Sequence, residues 1–184
     1  MALDITANQF TSITSLRELY RLQELTMSGN AIEDISPITK LTQLYKLHAA
    51  YNKLANCDCQ RLTLLHSLDV SHNQLTDINL DNLASLIDLS VAHNNLTVLN
   101  AMQNLMTLHS LDVSHNNIDD ISPIANLTNI VTLQLNNNNI YNFSPLVDLA
   151  NLRDLNLEDN PIKYDFVTEY LMTRVAENIW AYLE

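Results

Sequence analysis

The chain has 184 residues, with 21 Asp and Glu against nine Lys and Arg, a formal net charge of −12. That excess opposes phosphate backbones and anionic lipid, which excludes nucleic acid and membrane as partners and favours a protein with a basic surface. No apolar run reaches the ~20 residues of a membrane span, and a single glycine with four prolines leaves no linker, so one continuous unit is expected.

The first element is a truncated copy of a recurring frame: Leu3, Ile5, Asn8, Phe10 and Ile13. Full copies follow. Leu105, Leu108, Leu111 and Val113 lead to Asn116, with Ile118 and Ile121 behind; Leu127, Ile130, Leu133 and Leu135 lead to Asn138, with Ile140 and Phe143 behind. The general form is LxxLxxLxLxxNxIxxI. Its asparagines are Asn8, Asn30, Asn52, Asn73, Asn94, Asn116, Asn138 and Asn160, separated by 22, 22, 21, 21, 22, 22 and 22 residues. A fixed period in this range means a solenoid.

Within each copy the LxL step has period two, so its apolar residues share one side of a short strand. One such strand buries little. Stacked at ~4.8 Å, neighbouring strands form a parallel sheet with a continuous core behind it. The chain must then turn away over that core, where backbone polar groups need partners. An asparagine amide offers donors and an acceptor together, so the asparagine column reads as a structural ladder. The opening strand around Leu3 to Ile5 has no preceding copy, and its uncovered edge is a possible contact surface.

The two 21-residue steps, Asn52 to Asn73 and Asn73 to Asn94, place a deletion on the convex side. Cys57-Asp58-Cys59 and Ile78-Asn79-Leu80 stand where other copies have a longer segment such as Ile35-Ser-Pro-Ile38. The strands should stay in register while curvature changes slightly. Cys57 and Cys59 fall in core columns and read as small buried residues; a metal site would need a second ligand pair. Free thiols without a disulfide framework favour a reducing compartment. Sequons at Asn95, Asn126 and Asn142 arise from the repeat pattern itself and are read as incidental.

From Tyr164 onward the period changes. Val167, Leu171, Val175, Ile179 and Tyr182 recur at three or four residues, predicting a helical face across 164–184 that covers the last leucine layer.

These motifs resemble leucine-rich-repeat proteins of the short, 22-residue class, which includes a regulatory subunit of protein phosphatase type 1 and the bacterial internalins. Asp34-Ile-Ser-Pro-Ile38, the run Asp120 to Thr128 and Ser144-Pro145 are similar to internalin repeats. Tyr170, Arg174-Val175 and Tyr182-Leu183-Glu184 are partly similar to the C-terminal cap of intracellular leucine-rich proteins, although Asn178-Ile-Trp180 stands where that cap has a proline. The resemblance covers residues 3–163. It implies an α/β repeat solenoid: a right-handed arc with a parallel concave sheet, short convex turns or 3-10 segments and a C-terminal capping helix. Residues 1–163 would hold about eight repeats, the first truncated, and 164–184 the cap.

Function is then expected on the outward positions of the concave sheet. His48, Asp69, Ser90, Asp112 and Gln134 lie between paired apolar positions, Asp88 lies two residues before, and Tyr51, His72, His93 and His115 immediately precede the ladder asparagine. Tyr51 is the natural anchor, since large aromatics dominate interface energy. The aspartates should steer a basic partner. The expectation is a non-enzymatic adaptor or regulatory subunit, probed by a protein partner, with no cofactor, no metal and no catalytic residue. The N-terminus carries neither a basic region nor an apolar stretch, so it does not read as a signal peptide, a fragment with its signal removed being the alternative; the free thiols make a cytoplasmic location the expectation, with a secreted or host-facing one as the alternative. The alternative is an internalin-like adhesion or effector fragment outside its producer. A metal-dependent hydrolase using the histidine column is more remote, because an open sheet offers no enclosed pocket.

Overall fold

The computed structural model describes residues 1–161 and 180–182. Eleven strands of three residues each carry it: β1 (Ala2–Asp4), β2 (Glu24–Thr26), β3 (Lys46–His48), β4 (Asn56–Asp58), β5 (Ser67–Asp69), β6 (Asp77–Asn79), β7 (Asp88–Ser90), β8 (Ser110–Asp112), β9 (Thr132–Gln134), β10 (Asp154–Asn156) and β11 (Trp180–Tyr182). Nine of them form one parallel sheet, ordered β1-β2-β3-β5-β7-β8-β9-β10-β11. The central residue of each repeat strand from β2 to β10 is Leu25, Leu47, Leu68, Leu89, Leu111, Leu133 and Leu155. All are buried and in register with one another. Their flanking residues point the opposite way, as period two requires.

The rest of each repeat returns along the convex side. Five repeats make a 3-10 segment there: Thr14–Glu18, Ser36–Lys40, Asn100–Met102, Ser122–Ile124 and Ser144–Leu146. The Asp-Ile-Ser-Pro-Ile motif explains its own local structure. Ser36 donates its N–H to Asp34 Oδ1 at 2.7 Å and its hydroxyl to Asp34 Oδ2 at 2.8 Å. Ser122 and Asp120 repeat both bonds at 2.8 Å. The proline then supplies a fixed φ in the first turn, where its missing N–H is not needed.

The two shortened repeats differ. Instead of a 3-10 turn they make β4 and β6, which pair in parallel as a separate two-stranded sheet, Cys57 opposite Ile78. An extended residue advances ~3.3 Å and a 3-10 residue only ~2.0 Å, so one residue fewer still spans the convex side. The cysteines alternate inward from β4. Both are buried in the core, with their sulfurs 3.2 Å apart and the thiols free.

The asparagine column lies over this core. Asn94 donates its amide to Val70 O (3.1 Å) in the preceding repeat and to Val91 O (3.0 Å) and Ala92 O (3.1 Å) in its own. Its Oδ1 accepts the Leu75 N–H at 2.9 Å. Asn52, Asn73, Asn116 and Asn138 make the same four bonds. Asn30 and Asn160 do so too, and like Asn73 they are only partly buried. Asn8 is exposed and bonds only to Ile5 O and Thr6 O of its own turn.

At the β1 side the core thins. Leu3, Ile5, Leu16 and Leu19 are only partly buried, and Phe10 remains 44% exposed. Among the described residues β1 pairs with β2 and stands at the end of the sheet. At the other side a correction is needed. Residues 180–182, including Tyr182 of the expected helical face, form β11, which pairs with β10 so that Asn156 lies opposite Tyr182. The edge of β10 offers a row of backbone donors and acceptors, and an extended segment satisfies them where a helix would not. The remainder of the expected cap, 164–179, lies outside the described residues.

Candidate interaction surface

Parallel pairing converts repeat positions into columns. Register brings His48, Asp69, Ser90, Asp112 and Gln134 side by side across β3, β5, β7, β8 and β9. Asp88 sits two residues earlier on β7, level with Ser67 and Ser110, in a separate column. Tyr51, His72, His93 and His115 stand beyond the strands, where the chain turns toward the ladder.

That last group is organised more tightly than sequence suggests. The four rings form one continuous stack. Centroids are 4.0 Å apart for Tyr51–His72, 4.0 Å for His72–His93 and 3.9 Å for His93–His115, with interplanar angles of 10°, 15° and 11°. This spacing is tighter than the ~4.8 Å between strands, so the rings lean onto one another. The backbone makes it possible. Each residue sits in the left-handed region, with φ of 54°, 51°, 53° and 53°, so each side chain leaves its turn in the same direction. The ladder asparagine that follows holds that turn closed.

The electrostatics follow from the packing. Burial lowers the His93 pKa below the ordinary imidazole value, His115 and His72 lower it further, and Asp112 opposes them. Burial also lowers His48, helped by Lys46 and opposed by Asp69. His48 Nε2 lies 3.2 Å from Ser67 Oγ. The two aspartates have local duties as well. Asp69 Oδ1 accepts the Ser71 N–H and Asp112 Oδ1 the Ser114 N–H, each at 3.0 Å. The Ser114 hydroxyl donates to Asp112 at 2.7 Å. The Asp-Val-Ser-His runs therefore carry an Asx-type brace beneath the stack.

Parallel imidazoles direct their in-plane nitrogens side by side rather than toward one point. Among the described residues no group of three or more His, Cys, Asp or Glu is arranged to hold a metal ion. Sequence reading missed one further residue on this face. Tyr45, on the flank, donates its hydroxyl to Glu24 Oε1 of the neighbouring repeat at 2.5 Å, and that bond raises the phenol pKa. The signal was an aromatic one residue before a strand, in line with His66 and His109.

Comparison with known proteins agrees with this geometry. A family model described as "Leucine Rich repeats (2 copies)" matches residues 107–146, and one described as "Leucine Rich repeat" matches residues 61–78. No curated protein sequence matches the chain. Among solved structures, an internalin C2 from Listeria monocytogenes is 28% identical with a TM-score of 0.90, over 100% of this chain and 80% of that one. A leucine-rich-repeat protein of Leptospira interrogans is 22% identical with a TM-score of 0.70, over 99% of this chain and 54% of that one. The Arabidopsis receptor kinase HAESA, solved with a peptide hormone and a co-receptor, is 22% identical with a TM-score of 0.70, over 87% of this chain and 30% of its own. Repeat frame, parallel sheet, asparagine ladder and family models converge on a solenoid that carries leucine-rich repeats.

Proposed function

We propose that the chain is a non-enzymatic binding scaffold, an adaptor or regulatory subunit, that takes a partner protein on its concave face. The observation that carries this is the ring stack from Tyr51 to His115. It presents a rigid aromatic surface, Tyr51 being 58% exposed, beside a sheet whose charged residues include Asp69, Asp88 and Asp112. Aromatics pre-ordered by stacking lose little entropy on binding, and surrounding carboxylates steer a basic partner. Free buried thiols support a reducing, cytoplasmic setting. A second reading, an internalin-like adhesion or effector protein outside its producer, is favoured by the likeness to internalin C2. Fractionation of the producing cells with an antibody to the chain separates the two.

Crosslinking pull-down followed by binding measurements tests the scaffold reading. Tyr51→Ala with His93→Ala should weaken the captured partner with the fold intact. Asp69→Lys with Asp112→Lys should slow association at low salt. Wild-type binding by both double variants would refute the concave site.

A further inference from the structure

The stack ends at Tyr51, and the residue that ends it is Gly29. In the same column, one repeat earlier, Gly29 has φ 69°, a left-handed conformation that glycine tolerates best. Yet the column does not require glycine. Ala7, Tyr51, His72, His93, His115, Asn137 and Asp159 all hold side chains at φ between 51° and 55°. Nor does crowding require it. A Cβ on Gly29 would meet its nearest neighbours, backbone atoms of Ala7, at 3.5 Å, an ordinary van der Waals distance. Gly29 is the only glycine in the chain. Its effect is to leave one rung of a ring ladder empty, with only the methyl of Ala7 in the rung beyond. The face of Tyr51 opposite His72 is thereby left without a ring neighbour among the described residues.

We propose that this vacant rung at Gly29 is a berth for an arginine side chain of the partner protein, whose guanidinium lies flat on Tyr51 and continues the stack. The inference rests on the concave-face reading given above. A rung has room for a planar group at the ~4 Å spacing of the existing rings, and a guanidinium is the planar cation that stacks on aromatic faces. The charge around the berth selects a cation over a neutral ring. Asp4 ends β1 level with Thr26, three residues before Gly29, and neither β1 nor β2 carries a basic residue; Glu24, at the far end of β2, is engaged by Tyr45. Asp4 accepts the Thr6 N–H at 2.8 Å, and its pKa is lowered by its hydrogen bonds to Thr6, so it is ionised at neutral pH. A lysine ammonium lacks the flat face and gains less from the ring.

The chain reports on this site directly, because labelling with 15N-glycine marks one backbone amide, the N–H that Gly29 donates to Ala50 O at 2.9 Å. Titration of the full chain with N-acetyl-arginyl-arginine amide should move that amide and the Tyr51 ring protons saturably. The lysyl-lysine analogue should move them at least threefold less, and N-acetyl-phenylalanine amide less than the arginine probe. Tyr51→Leu should abolish the Gly29 response. Gly29→His, which fills the rung, should abolish the Tyr51 response; if it does not fold, Gly29→Ala, which reproduces the Ala7 geometry, should reduce it. A linear Gly29 shift, an equal lysine response or a stronger phenylalanine response overturns the proposal. With the captured partner in hand, Gly29→His should weaken binding at least tenfold. Unchanged binding there, while Asp69→Lys with Asp112→Lys still weakens the complex, removes the berth and keeps the concave site. Unchanged binding in both removes both.

Discussion

Replacing Asn94 by Ala removes four hydrogen bonds, but they are not equivalent. Asn94 is 7% exposed, so water does not substitute freely. Of the three carbonyls it serves, Val70 O keeps Asn73 at 3.1 Å, Val91 O keeps Asn116 at 3.0 Å and Ala92 O keeps the His72 N–H at 2.8 Å. The Leu75 N–H has Asn94 Oδ1 as its acceptor, and Asn94→Ala leaves that donor unmet. One orphaned buried donor costs about 1–3 kcal/mol, and the second bonds to the carbonyls add less because each retains a partner. About 2 kcal/mol is expected. At about 2–4 °C per kcal/mol for a chain of this size, the melting temperature should fall by about 4–8 °C. Asn8→Ala is the internal control: it is exposed and bonds only within its own turn, so about 0.5 kcal/mol or less is expected. Urea melts give the two differences, and hydrogen exchange reads the Leu75 amide, which should exchange faster in Asn94→Ala selectively. Equal costs for the two variants, or an unchanged Leu75 exchange rate, would refute the reasoning.

Three further outcomes follow from the same structure. The His93 pKa is lowered in the folded state, so the unfolded chain takes up its proton first. The resulting contribution to stability is present above the unfolded value of ~6.5 and is lost as pH falls from there through the folded pKa; an NMR titration placing His93 at or above 6.5 would contradict this. The Cys57 thiol is raised well above its usual pKa by its hydrogen bond to Cys59 and by burial, so native protein at pH 8 should react with iodoacetamide at least tenfold more slowly than urea-unfolded protein; comparable alkylation rates would show that the pair is open to solvent. Deleting residues 164–184 removes β11 and leaves the β10 edge unpaired, so self-association is expected in light scattering; a monomeric truncation with native stability would assign the segment to another task.

The fold was legible because its signals are periodic. Leucine spacing determines which face of each strand is buried, and the ladder asparagine marks each turn. The 3-10 segments were legible where Asp-Ile-Ser-Pro-Ile spelled out both the Asx brace and the proline. The convex strands β4 and β6 were not, because the deletion that creates them shows only as a shorter interval. That interval becomes a strand pair only when two shortened repeats stand next to each other. On the concave face the residues of each column could be named from sequence, while the contact between them could not. A column of Tyr51, His72, His93 and His115 reads equally well as four separately solvated side chains. The left-handed turn that aims them alike, and the lean that closes ~4.8 Å to 4.0 Å, are properties of the assembled backbone. The strand at 180–182 was missed because three residues leave no measurable period beside a longer helical one.

Every interior ladder asparagine reaches back one repeat and no further: its acceptor serves the residue twenty or nineteen positions earlier, and its amide a carbonyl twenty-four or twenty-five positions earlier. Each repeat therefore ends in the same plug and begins with the same socket. Excising one whole unit, Asn95 to Asn116, would leave Asn138 its Ile118 N–H and bring its amide to the Val91 carbonyl that Asn116 had served, whereas excising half a unit would leave a plug without a socket. The molecule can be lengthened or shortened in steps of one repeat with its seams intact, and the distance between two features on its concave face becomes a quantity that can be set by counting.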